Sequence, residues 1–574
     1  MGPGFGMLKG KIHRMNLKLE KSLSNYLGFG LFLTTVIVVV GPVSDPVNIS
    51  KLVVLGTFSF GASVVFLDDK FRRNLVDSRV EYLVAIALIV SALLATIFSS
   101  QPIQRSIYGI TGRNFGLITL VSYLILFLVI SQITFEKNLK TIFYSFGAAG
   151  LINVIYGIIS TYITDPIQWN NVYGALLGTF GNPNFAGSFY GLFSAYLTSI
   201  ILDRNINKKI RLAVTTIIPL NLLCILATHT TQGLLVFALS NTITIFLYLK
   251  LEIKNKFFNY TFILISFTSA ILVVAGILQK GPFQSFLYKR SVSLRGVYWE
   301  AAFKTGKEHF FTGVGLDGFG DWYRRERSLK AATWLPGPET VTNSAHNYFL
   351  DMFSFGGFPM LISYFLLIIL GFKACFRIYK KISNFDFLPI ALISMFFGFV
   401  AQSVISLQQI GISVWGWIFV GLLSAFAREK KEFPNRNLVR NNADYRNSLP
   451  WNTGIFLGAC LGFLLSIPPY SAEASLTSAI KSREYSRIVK ALQPSYFNPL
   501  NSENLNYTIV LLVNNKLSVQ ALDLARKAVQ FNPDSFDSWK LQYYIPGASK
   551  REKDGALRNM KRLDPLNKEL EKLS

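Results

Sequence analysis

Apolar runs separated by short polar or basic connectors recur along most of the chain. Each is about 17 to 25 residues long, enough for a helix to cross a bilayer while satisfying its own backbone hydrogen bonds. Thirteen are read, at 27–44, 50–67, 81–99, 115–134, 141–163, 185–202, 211–228, 232–249, 259–278, 346–372, 386–407, 410–427 and 452–468. The pattern predicts an all-α fold, a polytopic transmembrane helical bundle of about 12–13 spans. Two segments are too polar for a membrane: a long loop at 279–345 and a tail from 469 onward. The expected order is an N-terminal segment 1–26, spans one to nine over 27–278, the loop 279–345, and spans ten to twelve over 346–427. A basic linker 428–451, a thirteenth span 452–468 and a helical tail 469–574 follow.

Composition agrees, since 51% of the 574 residues are hydrophobic. The net charge of +25 would suggest nucleic acid if it were clustered on a soluble domain, so its placement decides its meaning. With the N-terminus inside, the inside segments hold 28 of the 57 Lys and Arg, whereas the short outside loops hold three, Lys51, Arg105 and Arg113. The positive-inside rule then sets a cytoplasmic N-terminus with the long loop and tail outside, and no nucleic-acid partner is expected. Cys224, Cys375 and Cys460 stand singly in or beside apolar runs, as buried filler and not as a disulfide or zinc framework. The first apolar run lacks a small-residue cleavage pattern, so no cleavable signal peptide is expected. In the tail, Asn498-Pro499, Asn532-Pro533 and Asp564-Pro565 recur at intervals of 34 and 32 residues. That period, with Ala at helix-packing positions, resembles tetratricopeptide repeats and implies a helical repeat module that docks a protein partner.

Candidate chemistry collects at the outer ends of the spans. In T-N-S-A-H-N-Y-F-L-D-M-F, Asn343 and Ser344 are good N-caps, which puts His346 in the first turn of a helix. The positive end of a helix disfavours imidazolium, so His346 reads either as a neutral general base or as a residue that caps and packs beside Phe349 and Leu350. Upstream, S-V-S-L-R-G-V-Y-W-E-A-A-F-K reads as a helix with Arg295 and Trp299 one turn apart. Arg295 is then a guanidinium beside an aromatic surface, suited to a phosphate or diphosphate, or else an interfacial anchor. Gly313, Gly315 and Gly318 match G-x-G-x-x-G, but no β-α-β pattern surrounds them and they read as tight turns. Asp317 and Asp321 are one acidic pair without further ligands, and no metal is assigned. Arg113 and the Asn182–Asn184 turn in G-N-P-N-F-A-G also fall at outer ends; the two amides suit sugar hydroxyls and suit turn and cap roles equally.

The order R-G-V-Y-W-E-A-A, H-F-F-T-G-V-G-L-D-G-F-G, then S-A-H-N-Y-F-L-D-M-F-S-F-G-G-F, together with G-N-P-N-F-A-G, resembles the O-antigen ligase and polymerase superfamily. The resemblance implies a C-type glycosyltransferase-like membrane fold in the cytoplasmic (inner) membrane, with loop and tail in the periplasm. It implies transfer of a glycan from an undecaprenyl diphosphate donor to an acceptor hydroxyl of a lipid core, a growing polysaccharide or a protein, without metal or cofactor. The family histidine and loop arginine correspond to His346 and Arg295, the expected catalytic pair, and substrate contacts are expected from Arg113, Asn182, Asn184, Gln232, Trp299 and Asn347. One position departs: T-H-T-T-Q-G carries Gln232 where the family often has an arginine for the diphosphate, leaving its charge to Arg113 or a loop residue. Polymerase and protein O-oligosaccharyltransferase readings share this core. A transporter or lipid flippase is the reading from another class, but the middle of these spans is nearly free of charge and the unusual polar residues collect on one face, as a surface-facing enzyme requires.

Overall fold

Helices form on all thirteen apolar runs in the computed structural model, which describes residues 4–67, 78–168, 170–287, 290–333, 337–428 and 451–573. Among these residues there is no strand. The first nine long helices are α1 (Gly4–Val36), α2 (Asn48–Ser63), α3 (Arg79–Ile97), α4 (Leu117–Ser131), α5 (Glu136–Tyr162), α6 (Pro183–Leu202), α7 (Lys208–Ala227), α8 (Thr231–Tyr248) and α9 (Lys256–Ile277). The long loop contributes α10 (Arg290–Glu308) and α11 (Phe319–Glu326). Then come α12 (Tyr348–Lys381), α13 (Phe387–Ser403), α14 (Ile410–Ala427) and α15 (Trp451–Ser466). The tail holds α16 (Pro468–Ser482), α17 (Tyr485–Ala491), α18 (Ser502–Asn514), α19 (Ser518–Phe531), α20 (Phe536–Tyr544) and α21 (Lys550–Leu563). Nine described helices are long and apolar enough to cross a membrane, or ten if α15 and α16, bent by 49°, count as one; α4 and α13 are apolar but shorter. The chain is thus a polytopic helical bundle. Residues 429–450 of the basic linker and the basic stretch 68–77 lie outside the described residues.

Packing sorts the helices by position. The span of α14 is 94% buried, with Trp415 and Trp417 fully enclosed, and it packs against α4, α12 and α13. None of the span of α9 is buried, so that helix stands clear of the bundle with its apolar surface turned outward. The α2 and α15 backbones touch because small residues line the crossing: a Cβ on Gly462 would lie 2.2 Å from the Gly56 carbonyl oxygen.

Two expectations need correction. The run at 27–44 is not all span: α1 ends at Val36 and residues 37–47 form a turn closed by the Val39 N–H to the Pro46 carbonyl, 2.8 Å. Pro42 and Pro46 bias the residues before them away from helix. Lys51 is not in an outside loop. It is buried in the first turns of α2 and donates to the Thr34 and Thr35 carbonyls at 3.1 and 2.5 Å, satisfying the open end of α1.

α12 is broken at Gly356 and Gly357, where the backbone leaves helical geometry. The long loop fills the break: Val314 and Gly315 N–H donate to the Ser354 and Phe355 carbonyls at 2.9 and 3.0 Å, and Phe358 N–H donates to the Phe310 carbonyl at 2.6 Å. Gly313, at φ +61°, lies so close that a Cβ would sit 2.3 Å from the Phe355 carbonyl carbon. Two of the three glycines in the G-x-G-x-x-G spacing, Gly313 and Gly315, are turn residues at positive φ pressed against this break.

The tail is built of helix pairs, α16 with α17, α18 with α19 and α20 with α21. Its first helix braces the 37–47 turn, where the Glu473 carboxylate accepts from the Ser44 N–H at 3.0 Å. Its later pairs lie against α11. Asp564 accepts two bonds from Arg327 at 2.7 Å with both side chains fully buried, Asp534 pairs with Arg325 at 2.5 Å, and Asn532 donates to Asp321 at 3.0 Å.

Candidate functional site

The start of α12 decides where His346 sits. Asn347, not Asn343 or Ser344, is the N-cap, its side chain accepting from the Phe349 and Leu350 N–H groups at 3.0 and 3.2 Å. His346 therefore precedes the helix, and its backbone is left-handed at φ +54°. Asp351, one turn into α12, reaches back to the approach: its oxygens accept from the Ser344 hydroxyl at 2.7 Å and the Ala345 N–H at 2.8 Å. Ser344 Oγ in turn accepts from the His346 N–H at 2.9 Å. The loop carrying the imidazole is thus tied down on both sides of the ring.

α10 lies along α12 and buries Val297, Tyr298, Ala301, Ala302 and Thr305, so Arg295 and Tyr298, three residues apart, share the face toward His346. Tyr298 stacks on the imidazole with centroids 5.9 Å apart and planes at 27°. Burial, then the Arg295 guanidinium, then that of Arg113, push His346 from the ordinary 6.5 down to about 4. The neutral imidazole expected from a helix terminus arises chiefly from desolvation and two cations. Burial also lowers Arg295, which stays charged at any working pH. Neither the Arg295 guanidinium nor the His346 ring makes a hydrogen bond or ion pair with a described residue, so both are free to meet a ligand.

Arg113 is differently placed. It is buried and paired with the fully buried Asp317, and it donates to the Asn343 carbonyl at 2.7 Å. Asp317 also accepts from the Ile110 N–H at 2.7 Å. Asp321 is held by Arg105 at 2.7 Å. Both acids of the loop are thus committed to arginines, and among the described residues no three metal-ligating side chains converge. Arg113 shapes the field at His346, but its charge is offset by Asp317.

Gln232 is buried. It donates to Ser188 Oγ at 2.9 Å and to Gln402 Oε1 at 3.4 Å, and Gln402 donates to the Tyr348 hydroxyl, also at 3.4 Å. A run of amides thus leads from Gln232 to the residue two beyond His346. Trp299 packs half-buried against the membrane core with its Nε1–H unpartnered. Asn182 and Asn184 stand on a separate turn: Asn182 caps α6, accepting from the Asn184 N–H at 2.9 Å, and donates to the Tyr173 hydroxyl at 3.2 Å.

Sequence reasoning missed Tyr298, Asp351 and Asp317. Tyr298 was legible as a residue three from Arg295, and Asp351 as a lone acid at the head of an apolar run. Asp317 was seen only as half of an acidic pair.

With this geometry in place, one comparison bears on it. Residues 216–365 match the family model described as O-Antigen ligase. The match spans Gln232, Arg295, Trp299, His346 and Asn347, whereas Arg113, Asn182 and Asn184 lie outside it. It supports a relation to the O-antigen ligase superfamily of membrane glycosyltransferases. Comparison with curated proteins gives no match.

Proposed function

We propose that this protein transfers a glycan from an undecaprenyl diphosphate carrier to an acceptor hydroxyl on the periplasmic side of the inner membrane. The observation that carries the reading is a desolvated guanidinium, Arg295, with no hydrogen bond or ion pair to a described residue, beside a neutral imidazole, His346, at the end of the bundle where the long loop closes over α12. His346 takes the proton of the acceptor hydroxyl as its oxygen bonds to the anomeric carbon. The bond from that carbon to the diphosphate oxygen breaks, and Arg295 stabilises the negative charge left on the departing lipid diphosphate. Because Arg113 is neutralised by Asp317, the net positive charge facing the donor falls on Arg295. Asn347 beside His346 offers a side-chain amide to the substrate, Gln232 acts at one remove through Gln402 and Tyr348, and no resident metal takes part in the proposed reaction.

The test is complementation of a gene deletion. Arg295→Ala should lower transfer about a hundredfold, since losing one charge-directed donor costs roughly 3 kcal/mol. Membrane abundance on an immunoblot should stay unchanged. Full glycan profiles in that variant would reject the role. Long chains left on the carrier indicate a ligase, single units a polymerase, and altered solute uptake with normal glycans a transporter.

A further inference from the structure

We propose that the C-terminal tail is a clamp that positions this site, acting through Asp564, Arg327, α11 and two tyrosines in edge-to-face contact. The buried Arg327–Asp564 pair sits at one end of the path, and Arg324 joins it, its guanidinium 3.4 Å from Asp564 and 4.1 Å from the centroid of the Phe536 ring. Arg324 and Arg327 belong to the turn that ends α11, as does Tyr323. Tyr323 meets Tyr298 edge-on at 5.5 Å and 80°, and Tyr298 stacks on His346. Tyr298 is also three residues from Arg295 on α10. Each contact is buried: Tyr323 is 1% exposed and Tyr298 8%, and the Arg327 and Asp564 side chains are wholly enclosed. The Asn-Pro and Asp-Pro positions that punctuate the tail supply two of its contacts, Asn532 to Asp321 and Asp564 to Arg327. A face of the tail that could take a protein partner is therefore occupied by the chain's own loop. Asp564 and Arg327 are positioning residues and do not touch substrate.

The experiment reads the histidine directly and does not need the transferase reading to hold. Full-length protein in nanodiscs is treated with diethyl pyrocarbonate, which modifies neutral imidazole, and the His346 peptide is quantified by mass spectrometry at pH 5.5 and 7.5. In the native chain the two rates should agree within about a fifth once each is normalised to the concentration of intact reagent at that pH. In Asp564→Asn, α11 is released, Tyr298 uncovers the ring, and the ratio of the pH 5.5 rate to the pH 7.5 rate should fall at least twofold, with Asp564→Glu restoring it in part. Asp534→Asn, on the more open side of the same contact, should move the ratio in the same direction by less and serves if Asp564→Asn does not accumulate. An unchanged ratio in the accumulating variant, or a loss of folded protein with the ratio kept, overturns the clamp. If the ratio falls but no variant of Arg295 or His346 alters glycan transfer, the clamp stands and the transferase reading fails.

Discussion

Activity should persist far into acid if His346 is the base proposed above, because its surroundings keep it neutral. An ordinary histidine titrates near 6.5, and a transferase relying on one would keep only about a tenth of its neutral base at pH 5.5. His346 is pushed to about 4 by burial and by the Arg295 and Arg113 cations. At pH 5.5 nearly all of it stays neutral, about a tenfold advantage in competent enzyme. Stability follows the same titration. Above 6.5 neither folded nor unfolded chain holds the proton; between 6.5 and about 4 only the unfolded chain takes it up. The folded state therefore loses up to about 3 kcal/mol from this residue as pH falls through that window. The assay is the initial rate of glycan transfer in nanodiscs from pH 4 to 8 at subsaturating acceptor, which reports the free enzyme. The acid limb should lie near 4. Replacing Arg295 by Gln removes the second cause of the shift and leaves the first, so the limb of the residual activity should move up while staying below 6.5. A native acid limb at 6.5 would refute the reasoning, because the imidazole would then be solvated and far from both cations.

Three further outcomes can be checked on the same material. Asp317→Ala strands a buried Arg113 and removes an acceptor from the Ile110 N–H, so it should cost about 3–5 kcal/mol and lower the melting temperature of detergent-solubilised protein; a melting curve like the native one would show that the pair is solvated. Gly313→Ala should be far more damaging than Gly547→Ala, since both residues have positive φ but only at Gly313 does a Cβ meet backbone. The second change should cost about 1–2 kcal/mol, and equal losses would count against the packing of the loop into α12. Treatment with EDTA should leave initial rates within twofold, and a collapse restored by a divalent cation would assign a metal to the reaction.

How far the sequence could be read depends on the kind of signal. Span length and polarity located the helices of the bundle, nine or ten of the described ones long and apolar enough to cross a membrane, because hydrocarbon imposes one rule on all of them. The same rule misplaced residues 37–44, where Pro42 and Pro46 override hydropathy. Arg295 and Trp299 were legible as one helix turn, but the residue that meets His346 is Tyr298, which differs from Trp299 only in its angle around α10. The cap of α12 was misassigned by three residues because Asn343, Ser344 and Asn347 are all good caps, and tertiary bonds from Asp351 decided among them. Arg113 was legible as a cation at the end of a span. That it is spent on Asp317, 204 positions away, is tertiary information no local pattern carries. Asp564 and Arg327 lie 237 positions apart, and the tail's Asx-Pro marks read only as punctuation until α11 is seen beside them.

The broken helix α12 limits how a substrate can enter. Opening the 310–315 stretch like a lid would strip the Ser354 and Phe355 carbonyls of their donors, and each such group left bare in hydrocarbon costs several kcal/mol. That wall is therefore a fixed floor. An isoprenoid-linked donor of the kind proposed would have to pass on another flank, and α9, with none of its span covered by protein, leaves one side of the bundle open to the surrounding lipid.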